Sequence, residues 1–177
     1  GNIMFMTMAW VHGKASIRMC AEVLIFSFFS NFAWFLFFDW FLAYKTELFI
    51  KEPFLSQCLG LGLTHLEQDW GIVVLKGVGA NSLVCMGVFM GTVARSGLSK
   101  IVLIWVPVAV FVTIGYEHVV ANMGFVPIAM MYGANITPNE YIRESVVPSA
   151  IGNWIGGGFL LGLPLVYLYA WESRSFR

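Results

Sequence analysis

An adjacent acid and imidazole, Glu117 and His118, lie in the middle of a long apolar stretch. Residues 101–116 before them and 119–131 after them carry no charge. Because these flanks together exceed the roughly 20 residues that cross a bilayer, the pair is expected near mid-membrane depth. An ionisable side chain there costs about 2.5–3.5 kcal/mol and normally faces a cavity or a pathway. The pattern predicts a transport pathway at this pair, and a histidine that only packs against a neighbouring helix is the alternative.

The composition is typical of an integral membrane protein. Of 177 residues, 59% are hydrophobic and 11% are charged, whereas soluble domains carry about 25% charged residues. The net charge is zero and no basic run is present, so nucleic acid is not an expected partner. The expected surroundings are the lipid bilayer. The three cysteines have neither paired spacing nor a metal-ligand pattern, so no metal or other cofactor is predicted.

The apolar segments predict the membrane spans. Segments long enough to cross a bilayer occupy residues 19–44, 71–94, 101–132 and 145–171. As one helix the 32 residues of 101–132 would reach about 48 Å, which is too long, so we expect a break at Glu117–His118. Residues 3–10 form a shorter apolar helix, and residues 45–70 are expected to form a mixed polar loop. A helix start is predicted at residues 137–140.

The distribution of basic residues orients the chain. If each long segment crosses once, the basic residues in 14–18, 95–100 and 174–177 share one side of the membrane. By the positive-inside rule that side is cytoplasmic, which predicts a plasma-membrane protein with a cytoplasmic C-terminus. Residues 3–10 end on this side but reach only halfway across, so we expect that segments upstream of Gly1 are missing from the chain.

A short internal repeat divides the chain into two halves. Asn2 begins one short apolar segment and Asn31 follows 29 residues later, while Asn122 begins another and Asn153 follows 31 residues later. Broken segments at corresponding places in two halves predict a site at the interface of the repeats.

Four motifs of the chain resemble the formate/nitrite transporter family. In chain order they are residues 1–10 (the end of the broken second helix), ANSLVC at 80–85 (the fourth helix), GYEHVVANM at 115–123 (the broken fifth helix) and IGNWIGG at 151–157 (the sixth helix). The resemblance covers essentially all of residues 1–177. It describes a partial transporter domain that runs from the second half of helix two through helix six, with the first helix and a half missing.

The resemblance implies an all-α multi-pass membrane protein, an aquaporin-like inverted-repeat bundle with broken helices. It implies a homopentamer in which each protomer has its own pore for small monovalent anions such as formate or nitrite, and no enzymatic activity. By position, His118 corresponds to the central pore histidine and Asn81 to its polar partner. Phe111 and Val84 correspond to residues that narrow the pore on either side. A lysine usual upstream of the Asn81 position is absent, and His65 falls near it.

The chemistry of these residue types suits an anion. An anion in a narrow apolar pore loses its hydration, which is costly. The Asn81 amide and the His118 imidazole can replace the lost water, and an imidazole, which titrates near pH 6.5 when unperturbed, can also supply a proton. Asn122 and the freed backbone N–H groups before it are further candidate donors. Glu117 is expected to face away from the pore and to bond backbone or a neighbouring helix.

Other functions stay open on the sequence alone. An aquaporin-type channel for neutral solutes needs no titratable pore residue, and a truncated relative could have lost transport altogether. A membrane enzyme or haem carrier of the bis-histidine type needs two facing imidazoles, and only His118 is expected within the membrane. These motifs do not distinguish a passive channel from a proton-coupled transporter.

Overall fold

A computed structural model describes the backbone of residues 1–175 and the side chains through Tyr169. The first six helices are α1 (Asn2–Val11), α2 (Ile17–Phe38), α3 (Phe54–Thr64), α4 (Trp70–Val93), α5 (Gly97–Thr113) and α6 (Val119–Met131). They are followed by α7 (Pro138–Glu140), α8 (Val147–Trp154) and α9 (Leu163–Ser175). Wider π-helical stretches at Tyr141–Val146 and Ile155–Gly162 join the latter three into one continuous helix, here called the last helix. A π-helical stretch at Asp39–Tyr44 likewise prolongs α2.

Polar side chains fix the starts of the longer helices. Ser16 accepts from the backbone of the first turn of α2 at 3.2 Å, and Ser96 does the same for α5 at 3.1 Å. Asp69 accepts from the backbone at the start of α4 at 2.8 Å. Thr137 and Glu140 form a reciprocal capping box at the start of the last helix, as predicted from the sequence. Each such cap satisfies N–H groups that the first turn leaves without an intrahelical partner.

Among the described residues, three helices are long and apolar enough to cross a membrane, namely Ile17–Tyr44, Trp70–Val93 and Pro138–Tyr169. They correspond to three of the four predicted spans. The fourth is divided into α5 and α6 by the non-helical residues 114–118, as its excessive length predicted. The architecture is therefore an all-α membrane bundle with a helix broken in its middle.

Two sequence-based expectations need correction. Residues 45–70 are not simply a polar loop, because they contain α3, which packs against α6. A Cβ on Gly62 of α3 would lie 2.3 Å from the Ala129 Cβ, so this helix contact is close. The predicted helix start at 137–140 and the predicted span at 145–171 are not separated by a loop, because both belong to the last helix, which begins at Pro138. Arg177, part of the basic tail used for orientation, lies outside the described residues.

The closest helix packing lies between α4 and the last helix. A Cβ on Gly152 would lie 2.2 Å from the Val74 carbonyl oxygen, and a Cβ on Gly156 would lie 2.2 Å from that of Val78. Only glycine permits this backbone approach, which is the usual reason for small residues between membrane helices. The contact brings Asn153, which lies between the two glycines in sequence, against α4.

Candidate functional site

The polypeptide leaves helical geometry between α5 and α6. Gly115 adopts the left-handed region with φ 69°, which favours glycine. The Tyr116 N–H bonds the Phe111 carbonyl at 3.0 Å, and His118 is extended with φ −119° and ψ 119° as the residue that precedes α6. The break thus leaves His118 between the C-terminal end of one helix and the N-terminal end of the next.

Asn153 of the last helix supplies bonds that the broken helix lacks. Its side-chain amide donates to the carbonyl of Glu117 at 3.0 Å and to that of Gly77 in α4 at 2.9 Å. Its side-chain oxygen accepts from the Val119 N–H at 2.9 Å, and the residue is only 1% exposed. One side chain therefore satisfies backbone groups on both sides of His118, which would otherwise be buried without partners.

His118 and Asn81 are brought together. The His118 Nε2 lies 3.3 Å from the Asn81 Oδ1, and the Asn81 amide nitrogen donates to the Asn153 carbonyl at 2.6 Å. The second bond fixes the orientation of the Asn81 amide, so its oxygen points at the imidazole. The Phe111 ring lies against the His118 ring, with centroids 5.5 Å apart and planes inclined by 35°.

This pair forms part of the wall of a cavity of about 480 Å³. Its polar lining residues are Asn2, Ser27, Asn31, Asn81, His118 and Asn153, and the first residues of α1 and α6 also contribute. Among the described lining residues Phe111, Val84 and Asn122 do not occur. Val84 is half-buried on α4, three residues after Asn81. The cavity therefore brings together His118 and Asn81 of the predicted site, while Phe111, Val84 and Asn122 do not line it.

Glu117 points into a different environment from His118. Its side chain is fully buried and receives bonds from the Gln68 amide at 2.7 Å and the Asn122 amide at 2.8 Å. The His65 Nδ1 lies 2.7 Å and 2.9 Å from the two carboxylate oxygens. Every partner can donate, which suits an ionised carboxylate. Its contacts are with α6 and with the segment between α3 and α4.

Asn122 belongs to this second environment. Its amide nitrogen also donates to the Ser145 hydroxyl at 3.0 Å, and its backbone carbonyl accepts from the Tyr141 hydroxyl at 3.4 Å. The side-chain oxygen of Asn122 is buried and has no hydrogen-bond partner among the described residues. Asn122 therefore connects Glu117 to the last helix.

Sequence reasoning does not identify most of the partners of Glu117. Gln68 carries no distinguishing pattern, and His65 falls in the predicted polar loop, although it is 7% exposed and stacks on Phe125. The histidine is buried because a buried carboxylate needs donors close by. The sequence does contain one signal for these partners: two polar side chains, His65 and Gln68, lie three residues apart directly before α4. Among the described residues no group of three or more potential ligands is arranged for a metal.

Comparison with known proteins gives one consistent family. The family model described as "Formate/nitrite transporter" matches residues 1–167. A "Formate-nitrite transporter" of Entamoeba histolytica is 40% identical over 116 residues, covering 66% of this chain and 33% of that protein. The "Uncharacterized transporter YrhG" of Bacillus subtilis is 33% identical over 175 residues, covering 99% of this chain and 65% of that protein. The chain thus spans less than two thirds of the length of these two relatives.

Solved structures share the architecture. An "FNT family ion channel" superposes with a TM-score of 0.85 at 23% identity, covering 96% of this chain and 67% of that one. A "Pentameric formate channel with formate bound" gives a TM-score of 0.71 at 25% identity, and the match covers 87% of this chain and 66% of that one. The overall fold of this chain is therefore similar to that of these two solved structures.

Proposed function

The chain belongs to the formate/nitrite transporter family, and on that premise we propose that it forms a pore for small monovalent anions such as formate or nitrite. The observation that carries this proposal is the His118–Asn81 pair in the wall of the cavity. Such an anion can only accept hydrogen bonds, so once it has lost its hydration shell it needs hydrogen-bond donors from the protein. An imidazole N–H and an amide N–H supply them without placing a permanent charge in the pore.

The long bond between His118 and Asn81 favours exchange. At 3.3 Å it is at the weak end of the range for a hydrogen bond, so an arriving anion competes easily for the imidazole N–H. The Asn81 amide nitrogen bonds the Asn153 carbonyl with one hydrogen and keeps a second one for the anion. Asn81 then has two roles: it orients His118 when the pore is empty and contacts the anion when it is filled.

The N-terminus of α6 adds a favourable field. Val119 and Val120 line the cavity at the start of this 13-residue helix. Backbone N–H groups and the helix dipole make such an end favourable for negative charge. The Val119 N–H is bonded to Asn153, so its contribution is electrostatic, while the N–H groups after it provide direct donors.

Proton transfer from His118 completes the proposed mechanism. A protonated imidazole transfers its Nε2 proton to a formate oxygen, which gives formic acid and neutral imidazole. The neutral acid passes an apolar constriction at lower cost than the anion. We assign that constriction, beside the cavity, to Val84 and to Phe111, whose ring packs on His118. The imidazole regains its proton from water on the side from which the proton-coupled substrate enters.

The proposal also covers the oligomeric state of the protein and its orientation in the membrane. One structural neighbour is described as pentameric, and α2 carries an exposed aromatic face that suits a neighbouring protomer or lipid. We extend that pentameric state to the protein containing this chain, in which residues 1–177 form one partial transporter domain. The basic residues in 14–18 and 95–100 support a cytoplasmic position for those turns by the positive-inside rule, and we propose that the protein lies in the plasma membrane with a cytoplasmic C-terminus.

Uptake into proteoliposomes tests the function. The complete protein is compared at pH 5 and pH 7.5 with its His118→Asn variant, using radiolabelled formate and nitrite. We expect saturable uptake that is faster at pH 5 and is lost in the variant, whereas His12→Gln, at an exposed position, retains it. Uptake that is unaffected by His118→Asn would exclude proton donation, and absence of uptake of both anions would overturn the proposed substrate class.

A further inference from the structure

The cavity of about 480 Å³ that contains the His118–Asn81 pair has a second polar group in its wall. This group is formed by Asn2 of α1 and by Ser27 and Asn31 of α2, and it is here called the Ser27 station. The proposed mechanism assigns no role to these three side chains. Cavities of about 300–1,000 Å³ hold ligands much larger than formate or nitrite, so one such anion does not fill this cavity. It therefore has room for more than one point of contact.

Hydrogen bonds within the station fix the orientation of its side chains. The Asn31 amide nitrogen donates to the backbone carbonyl of Ser27 at 2.7 Å and to the Ser27 hydroxyl at 3.4 Å. Because only a donor approaches a carbonyl oxygen this closely, the nitrogen of the Asn31 amide faces Ser27 and its oxygen does not. The Asn2 amide nitrogen donates to the same hydroxyl at 3.3 Å. The Ser27 hydroxyl oxygen therefore accepts from two amides.

The Ser27 hydroxyl is thereby left with a hydrogen to donate. A hydroxyl oxygen has two lone pairs and one O–H group. The two amides use the lone pairs, and within the described part of the chain no group accepts the hydrogen. By contrast, the hydroxyls of Thr7, Ser82 and Ser149 donate to the carbonyl four positions earlier in their own helices. A molecule in the cavity therefore interacts with the Ser27 hydroxyl by accepting its hydrogen.

The surroundings of this hydroxyl favour an anion as the acceptor. Leu24 and Phe28, the apolar neighbours of Ser27 on α2, also line the cavity, and a hydrogen bond is stronger in a wall of low dielectric. None of the described lining residues carries a carboxylate side chain that would repel an anion or take the hydrogen. Glu22, five positions earlier on α2, is exposed and pairs with Arg18 at 2.7 Å, so its charge is compensated there.

We propose that the Ser27 station is a second binding site for the permeating anion, at which the Ser27 hydroxyl donates a hydrogen bond to an anion oxygen. This inference rests on the proposed function. The ligand is a small oxyanion that only accepts hydrogen bonds. Two sites in one cavity suit permeation, because the anion must bind well enough to enter and weakly enough to leave. Ser27 contributes to binding alone, while proton transfer stays with His118.

Transport kinetics of two Ser27 variants in the complete protein test the proposal. Ser27→Ala removes the hydroxyl but keeps the backbone carbonyl that holds Asn31, and Ser27→Thr keeps the hydroxyl. We expect Ser27→Ala to raise the KM for formate and for nitrite about tenfold or more with kcat unchanged, since a hydrogen bond to a charged group is lost before and during passage. Ser27→Thr should keep the wild-type KM. The matched control is Ser30→Ala, because Ser30 lies on the same helix but is not among the described residues that line the cavity.

Equilibrium binding separates this proposal from the proposed function. Binding of radiolabelled formate to the complete protein in detergent is measured by equilibrium dialysis, with and without Ser27→Ala, in the wild type and in the His118→Asn variant. We expect Ser27→Ala to raise the Kd about tenfold in both backgrounds, because the hydroxyl acts independently of the imidazole.

The possible outcomes are distinct. A KM and Kd that Ser27→Ala leaves unchanged would overturn the inference, as would an equal rise in Ser27→Thr or in Ser30→Ala. Absence of uptake by the wild-type protein, with a Kd that still depends on the Ser27 hydroxyl, would contradict the proposed function alone. Absence of formate binding to the wild-type protein would overturn both.

Discussion

The side-chain oxygen of Asn153 accepts a hydrogen bond from the backbone N–H of Val119 at 2.9 Å, although 34 positions separate the two residues. The same side chain donates to the carbonyl of Glu117. Asn153 therefore holds the residues before and after His118 at once. It couples the last helix to the geometry of the break.

Replacement of Asn153 by leucine should destabilise the protein strongly. The change leaves the Val119 N–H and the Glu117 and Gly77 carbonyls buried without their partner. Each such group costs about 1–3 kcal/mol, so we expect a loss of at least about 3 kcal/mol in unfolding free energy and a clearly lower thermal midpoint in detergent. The matched control is Asn31→Leu at the corresponding position of the internal repeat. Within the described residues, Asn31 bonds only Ser27 of its own helix, and an equal shift in both variants would contradict the assigned role.

Replacement of Gly152 by alanine should push α4 away from the last helix. The new Cβ would lie 2.2 Å from the Val74 carbonyl oxygen, and backbone cannot move aside as a flexible side chain can. We expect about 1–3 kcal/mol of destabilisation, typical of overpacking. Gly60→Ala on α3 is the control, because a Cβ added there meets no atom within 4 Å and alanine favours a helix by about 0.5–1 kcal/mol. The two variants should therefore shift the thermal midpoint in opposite directions.

Replacement of Phe111 by alanine should widen the proposed pore. The ring packs on His118 and is 5% exposed, so its loss leaves space beside the imidazole. We expect uptake of acetate, one carbon longer, to rise relative to formate by about tenfold or more, since one methylene is worth about 1–3 kcal/mol in a tight site. Competitive uptake of the two labelled acids measures the ratio. Phe26→Ala, at a residue that is 76% exposed on α2, should leave it unchanged.

The features predicted correctly from the sequence depend on local properties. The break at Glu117–His118 follows from the length of one apolar run, and the start of the last helix follows from the Thr137 and Glu140 pair. The family resemblance, carried by motifs within single helices, is confirmed by the match over residues 1–167. These features can be predicted from the sequence because each depends only on residues that are close together in the chain.

The features that were missed depend on contacts between distant segments. The bond between His65 and Glu117 joins positions 52 residues apart, and no periodicity marks it. The bonds of Asn153 arise because glycines bring the last helix against α4. Helix α3 was missed because it has only 11 residues, includes two glycines and lies between charged turns, so it matches neither a span nor a typical soluble helix. The roles of His118, Asn81, Phe111, Val84, Asn122 and Glu117 stay predictions.

Replacement of Asn81 by aspartate tests the charge requirement of the cavity. A carboxylate in place of the amide puts an acceptor-only group 3.3 Å from the His118 Nε2 and removes the donor to the Asn153 carbonyl. The carboxylate repels an incoming anion and competes with it for the imidazole proton, so formate uptake at pH 7.5 should fall at least tenfold. Protonation of the new carboxyl removes the repulsion, so part of the uptake should return at pH 5. Asn139→Asp makes the same change at an exposed position at the start of the last helix and should have no effect. An Asn81→Asp variant with wild-type uptake at both pH values would show that the anion does not pass this pair.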